Sequence, residues 1–174
     1  MEIGAQVPGF TLPDTDGKET TLADFPVTAP TVVVFTCNHC PYALAWHDRI
    51  NAVARDYAGH GVRVLQINPN DATRYPHDSL DAMRRRVTAG ELAGPYLRDE
   101  SQQVARAWGA TVTPDVFVVD AGGTLRYHGA PDSDHADESL RALWLRDALD
   151  DVLADREVRT PQTKPKGCSV KWLS

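Results

Sequence analysis

Short apolar runs alternate along the chain with stretches in which apolar residues recur every three or four positions. The runs at residues 31–35 and 62–67 are continuous and rich in β-branched side chains, which predicts two strands buried on both faces. Between them, the apolar residues from Trp46 to Tyr57 recur at helical spacing. We expect this helix to end at Gly59, because glycine is the usual residue just past a helix end. The first half of the chain therefore has the order β-α-β.

The second half adds helices and a hairpin. Apolar spacing predicts a helix between Pro76 and Gly90, a short helix at residues 101–108 and a last helix at residues 140–153. Two apolar runs within residues 115–128 flank Ala-Gly-Gly, which is typical of a β-hairpin. This order of elements predicts an α/β fold with a central sheet covered by helices on both faces.

Length and charge narrow the class of protein. The 174 residues correspond to about one domain, which we place at residues 1–158, followed by an irregular tail at residues 159–174. The net charge is −6 and the only cationic run is Arg84 to Arg86, so we expect no nucleic-acid partner. No apolar run approaches the ~18 residues of a membrane span, and no signal peptide is visible. These features predict a cytoplasmic location and no membrane partner.

The candidate chemistry lies between the first strand and the first helix. Cys37 and Cys40 are separated by two residues there, the placement of a thioredoxin-like redox motif. We expect Cys37 at the N-cap and Cys40 one turn inside the helix, where unpaired N–H groups and the helix dipole favour a Cys37 thiolate. His39, between the two cysteines, would add a donor or a positive charge. A coincidental buried pair of cysteines is the alternative.

A metal site is a weaker interpretation of the same residues. Structural zinc needs four ligands, and the chain has no second pair of cysteines at this spacing. Cys168, His39 and His47 would complete a site only if the tail folded back. We therefore expect no metal and no other cofactor.

Three further segments carry a resemblance to a known family. They are the opening residues 3–13, the stretch from Gly109 to Asp120, and the end of the chain from Gly167 to Trp172. With the box from Thr36 to Pro41, they resemble the redoxin branch of the thioredoxin-like superfamily, which includes AhpC/TSA-type peroxiredoxins and TlpA-type oxidoreductases. The box and the Gly-Cys-x-x-Lys-Trp ending are similar to those of small bacterial peroxiredoxin-like proteins. The resemblance implies a thioredoxin-like three-layer α/β/α sandwich with a central mixed sheet.

The resemblance also implies roles for individual residues. Cys37 corresponds to the exposed attacking cysteine and Cys40 to the resolving one. Pro114 corresponds to a cis-proline that would leave the backbone of Thr113 free to pair with a substrate chain. The strand at residues 31–35 lacks the buried acid of thioredoxin, so we give His39 part of the proton transfer as a hypothesis.

Three functions stay open from the sequence. The leading one is a thiol–disulfide oxidoreductase that acts on protein or small-molecule disulfides and uses a thiol reductant such as a thioredoxin system. The second is a thiol peroxidase in which Cys40 meets peroxide and Cys37 or Cys168 resolves it. The third is a binding module without catalysis. Cys168 itself is either a reactive thiolate among lysines or a buried, inert thiol.

Overall fold

The computed structural model describes residues 1–24 and 28–174. Its strands and helices follow the chain as β1 (Thr11–Pro13), β2 (Glu19–Thr21), β3 (Thr31–Phe35), α1 (Pro41–Tyr57), β4 (Arg63–Asn68), α2 (Leu80–Thr88), β5 (Tyr96–Arg98), α3 (Gln103–Trp108), β6 (Val112–Thr113), β7 (Asp115–Val119), β8 (Leu125–Gly129), α4 (Leu143–Leu153) and β9 (Cys168–Ser169). Five of these strands form a central sheet in the order β5-β4-β3-β7-β8. The sheet is mixed, because β3, β4 and β5 are parallel whereas β7 is antiparallel to β3 and β8.

Both faces of the central sheet are covered. Because side chains alternate along a strand, Val32 and Val34 face one apolar cluster with residues of α1 and α4. Val33 and Phe35 face the opposite cluster, which contains Trp108 of α3. This arrangement explains why β3 is apolar throughout, and it confirms the predicted three-layer α/β/α sandwich.

The start and the end of α1 both differ from the sequence prediction. The helix begins at Pro41, and Cys40 is its N-cap, so the placement of Cys37 at the N-cap was wrong. Proline suits this first helical position because its missing N–H has no partner there in any case. At the other end, a 3-10 turn continues to His60, and Gly61 ends it with φ = 79°. Glycine adopts this left-handed backbone without a steric penalty, so Gly61, not Gly59, ends the 3-10 turn, whereas α1 itself ends at Tyr57.

Most of the other predicted elements are present. The run at residues 62–67 is β4, the hairpin is β7 and β8, and residues 101–108 contain α3. Between Pro76 and Gly90, α2 is shorter than predicted, because a 3-10 turn precedes it and Ser79 caps its start. The last helix, α4, begins at Leu143 instead of Leu140.

The tail returns to the carboxyl end of the central sheet. Its strand β9 is antiparallel to β6, with Cys168 opposite Thr113 and Ser169 opposite Val112. This pairing brings Cys168 to the start of α1, as described below. Within residues 1–24 and 28–174, no helix has the length and apolar character needed to cross a membrane.

Candidate active site

The two cysteines of the box lie in contact at the start of α1. The backbone N–H of Cys40, the N-cap residue, donates a hydrogen bond to Cys37 Sγ at 3.3 Å. Both side chains are nearly inaccessible, with 2% of Cys37 and none of Cys40 exposed. The exposed position expected for Cys37 is therefore wrong for the reduced protein, in which both cysteines are free thiols.

The titrations of these two thiols are coupled. A hydrogen bond from the Cys37 thiol is the main cause that lowers the pKa of Cys40 to about 4, although burial opposes this shift. The pKa of Cys37 is raised, because its proton is held in the same bond and because the thiol is buried. The two thiols therefore titrate as a unit, and a pKa belongs to the pair and not to either cysteine alone.

Thr113 lies against both sulfur atoms. Its Oγ1 is 3.3 Å from Cys37 Sγ. Its carbonyl oxygen lies 3.3 Å from Cys40 Sγ and accepts a hydrogen bond from the protonated Cys40 thiol. The Thr113–Pro114 peptide bond is cis, as the resemblance implied. The backbone of Thr113 is not free, however, because it is already paired with Cys168 of β9.

A buried carboxylate that the sequence analysis missed lies beside Cys37. Asp78 is completely buried, and its Oδ1 accepts hydrogen bonds from the Asn38 backbone N–H at 2.7 Å and from Asn68 Nδ2 at 3.1 Å. Its Oδ2 accepts from Asn70 Nδ2 at 3.0 Å and lies 2.6 Å from His39 Nδ1. Asp78 therefore fixes the loop that carries Cys37 through the Asn38 N–H and lies close to the imidazole of His39.

The ring of His39 lies between Tyr75 and Asp78. Its ring stacks on Tyr75, with 5.9 Å between ring centroids, while Nδ1 faces Asp78. Asp78 raises the pKa of Cys37 further by its negative charge, after the larger effects of Cys40 and burial. The pair of His39 and Asp78 is thus placed next to the Cys37 proton.

The same residues offer potential metal ligands. One ligand atom each of Cys37, His39 and Asp78 lies within 4.8 Å of the others. The His39 nitrogen and the Asp78 oxygen already face each other at 2.6 Å. Neither Cys168 nor His47, which the sequence analysis considered as ligands, belongs to this group.

Cys168 approaches the pair from the tail. Its backbone N–H donates to Cys40 Sγ at 3.4 Å, and its side chain packs in the cluster formed by Cys37, Cys40 and Ala43. Cys168 is partly exposed, and its pKa is raised to about 11, first by burial and then by hydrogen bonding to the Cys40 thiolate. The structure thus fits neither sequence alternative fully: Cys168 is a protonated thiol that contacts the Cys40 sulfur.

Asparagine and glutamine side chains hold the tail in this position. Asn70 Oδ1 accepts the Lys171 N–H at 2.9 Å, while the same amide donates to Asp78. Gln102 donates to the Lys171 carbonyl oxygen and accepts the Leu173 N–H, both at 2.8 Å. The tail is therefore connected to the network around Asp78.

Solved structures place the fold among known ones. The chain is 37% identical to a hypothetical protein from Sinorhizobium meliloti 1021, with a TM-score of 0.94 and coverage of 100% of this chain and 96% of the other. A thiol:disulfide interchange protein of the thioredoxin family from Chlorobium tepidum TLS has a TM-score of 0.67 at 18% identity, covering 88% of this chain and 99% of that one. The second likeness shows that the fold is thioredoxin-like.

The sequence relatives include proteins named as a thiol:disulfide interchange protein and as a peroxiredoxin. The thiol:disulfide interchange protein DsbE of Allochromatium vinosum is 29% identical over 129 residues, which are 72% of this chain. The match spans 65% of that relative's length. A Mycobacterium tuberculosis protein whose name describes it as a "Putative peroxiredoxin" is 27% identical over 135 residues, covering 75% of this chain and 78% of the relative. The AhpC/TSA family model matches residues 3–128, and the chain therefore belongs to the AhpC/TSA family of redoxins.

Proposed function

We propose that this protein is a thiol–disulfide oxidoreductase in which Cys37 and Cys40 form the redox couple. The observation that carries the proposal is the contact between the two cysteines, in which the Cys40 backbone N–H donates a hydrogen bond to Cys37 Sγ. Two sulfur atoms held in this way convert to a disulfide with little movement of the backbone.

The exchange chemistry uses the two thiols in turn. When Cys37 attacks a disulfide RSSR, one RS⁻ leaves and a mixed disulfide forms at Cys37. The Cys40 thiolate then attacks Cys37 Sγ, the second RS⁻ leaves, and the Cys37–Cys40 bond forms. In the reverse direction Cys40 is the better leaving group, because a thiol with a lower pKa leaves faster.

Hydrogen-bond donors stabilise the attacking sulfur. Cys37 loses its proton before it attacks, and the Cys40 N–H and the Thr113 hydroxyl both lie 3.3 Å from Cys37 Sγ. Hydrogen bonds to a charged group favour the charged form. We assign the departing proton to the Cys40 thiolate and then to solvent, with His39 and Asp78 as the nearby polar pair that assists.

A Cys168→Ser variant tests the couple without interference from the tail. The reduced variant is equilibrated with glutathione buffers of graded redox potential, and its free thiols are counted by alkylation and mass spectrometry. We expect Cys37 and Cys40 to lose their thiols together in a single two-electron step. Thiols that stay free in every buffer, or that form only mixed glutathione disulfides, would contradict the proposal and favour a binding module without catalysis.

A thiol peroxidase is the second candidate, and one observation favours it. The Cys40 sulfur is next to two protonated thiols, those of Cys37 and Cys168. In this reaction the Cys40 thiolate attacks a hydroperoxide ROOH, which gives a Cys40 sulfenic acid and ROH. Cys37 or Cys168 then forms a disulfide with Cys40 and water leaves. If hydrogen peroxide oxidises the reduced protein faster than an equal concentration of a small disulfide does, thiol peroxidase becomes the leading function.

The substrate and the reductant belong to the same proposal. We propose a small-molecule or protein disulfide as oxidant and a thiol reductant, such as a thioredoxin system, as electron donor. We propose that the site transfers electrons through cysteine sulfur alone, without a cofactor.

A further inference from the structure

The tail occupies the backbone edge at which a thioredoxin-like site would hold an extended substrate. In β9, Cys168 is paired with Thr113, the residue that precedes the cis-proline. The Val170 N–H also donates to the Thr111 carbonyl oxygen at 2.9 Å. A substrate peptide that adds as a strand would need these same backbone positions. The chain thus presents its own cysteine to its own dithiol.

The fit of the tail at this edge is close. A Cβ atom at Gly167 would lie 2.0 Å from the Thr113 carbonyl oxygen and 2.5 Å from its carbon. Only a residue without a side chain lets the tail approach Thr113 as it does. Because Gly167 precedes Cys168 directly, this approach sets the position of the Cys168 sulfur against Cys40.

Accessibility distinguishes Cys168 from the other two cysteines. It is partly exposed, whereas Cys37 is 2% exposed and Cys40 is not exposed at all. A bulky dithiol finds almost no exposed surface at Cys37 and Cys40 in the reduced protein. It can approach Cys168, which lies at the surface and contacts Cys40.

We propose that Cys168 is a relay thiol, through which a protein dithiol reduces the oxidised site. The inference rests on the proposed Cys37–Cys40 couple. In the first step Cys168 attacks Cys40 Sγ, so the Cys40–Cys168 bond forms and the Cys37–Cys40 bond breaks. Cys37 leaves as a thiolate stabilised by the Cys40 N–H and the Thr113 hydroxyl, and it takes up the proton that Cys168 lost. This step is an isomerisation without net oxidation or reduction.

The second step consumes the external reductant. One thiolate of the protein dithiol attacks Cys168 Sγ, and Cys40 leaves as its thiolate. The second thiol of the reductant then attacks its own sulfur in the mixed disulfide and releases Cys168 as a thiol. The reductant ends as a disulfide, and the site is reduced by two electrons with all three cysteines free.

Two reductants of different size test the relay. The oxidised wild-type protein and its Cys168→Ser variant are reduced either by thioredoxin, a folded dithiol protein, or by a small phosphine, and the disulfide content is followed by alkylation. We expect Cys168→Ser to slow reduction by thioredoxin about tenfold or more and to leave reduction by the phosphine within about twofold, since only the bulky thiol needs the exposed sulfur. Ser169→Ala, which alters an exposed side chain of the same strand, is expected to match the wild type.

Peptide mapping separates failure of the relay from failure of the couple. After partial oxidation of the wild-type protein, we expect some molecules to carry a Cys40–Cys168 disulfide with Cys37 free. If the Cys37–Cys40 disulfide forms but Cys168 is always free, and thioredoxin reduces Cys168→Ser as fast as the wild type, the relay is refuted and the couple stands. If neither Cys37 nor Cys40 enters a disulfide, the proposed function fails first.

Discussion

Replacement of Gly167 by alanine tests whether the tail holds Cys168 as the structure shows. The added Cβ would lie 2.0 Å from the Thr113 carbonyl oxygen, whereas a relaxed carbon–oxygen contact is about 3.3 Å or more. The tail must therefore move by roughly 1.3 Å, which is enough to disrupt the pairing of β9 with β6. Overpacking of this kind costs about 1–3 kcal/mol.

Two measurements on the reduced Gly167→Ala protein follow. With an m-value of about 2 kcal/mol/M, the loss shifts the midpoint of urea unfolding down by roughly 0.5–1.5 M. Alkylation of Cys168 should also be faster than in the wild type, because the tail moves away from Cys40 and Thr113. Gly59→Ala is the matched control, since no atom lies within 4 Å of its added Cβ, and we expect a change within about 0.5 kcal/mol. If both glycine variants unfold at the same midpoint and Cys168 reacts at the wild-type rate, the close approach of Gly167 to Thr113 does not hold the tail.

Three further variants address the thiolate and its surroundings. The ultraviolet thiolate absorbance of the reduced protein should titrate with a pKa of about 4 and lose this step in Cys40→Ser. The unfolded chain keeps the Cys40 proton up to the ordinary thiol pKa of about 8.5. The free energy of unfolding of the reduced wild type, measured with urea, should therefore rise relative to that of Cys40→Ser between pH 4 and pH 8. Equal pH profiles of the two proteins would count against a Cys40 thiolate. Asp78→Asn leaves at least one buried donor without an acceptor and should lower the free energy of unfolding by about 1–3 kcal/mol; a wild-type midpoint would argue against the network. In Gln102→Asn, the new residue tolerates the left-handed backbone at this position, but its side chain is too short to bind both Lys171 and Leu173. Alkylation of Cys168 should therefore become faster. An unchanged rate would show that other contacts hold the tail.

Local signals in the sequence predicted the layers of the fold and the position of the dithiol. The continuous apolar runs of β3 and β4 show burial on both faces. A helix follows the dithiol motif, but it begins at Pro41, so Cys40 does not lie one turn inside it as predicted. The position of Pro41 also indicates the correct start of α1. Because proline prefers the first helical position, Pro41 places the N-cap at Cys40, and the wrong assignment to Cys37 came from following the analogy of the motif instead.

Contacts between distant segments were beyond the reach of the sequence analysis. Asp78 reaches the site from a 3-10 turn that precedes α2, where an acidic residue is ordinary and its burial is not visible from neighbours in sequence. The pairing of β9 with β6 joins two strands of two residues each, which are too short to show a periodic pattern. The free edge expected at Thr113 was wrong for this reason, because its partner is the tail itself.

A disulfide map of the wild-type protein tests the central claim most directly. The reduced protein is treated briefly with one equivalent of a small disulfide, quenched by alkylation and digested, and the cross-linked peptides are identified by mass spectrometry. We expect the first cross-link to join Cys37 to Cys40. Recovery of both cysteines fully alkylated, with the small disulfide consumed elsewhere or not at all, would show that they do not form the redox couple.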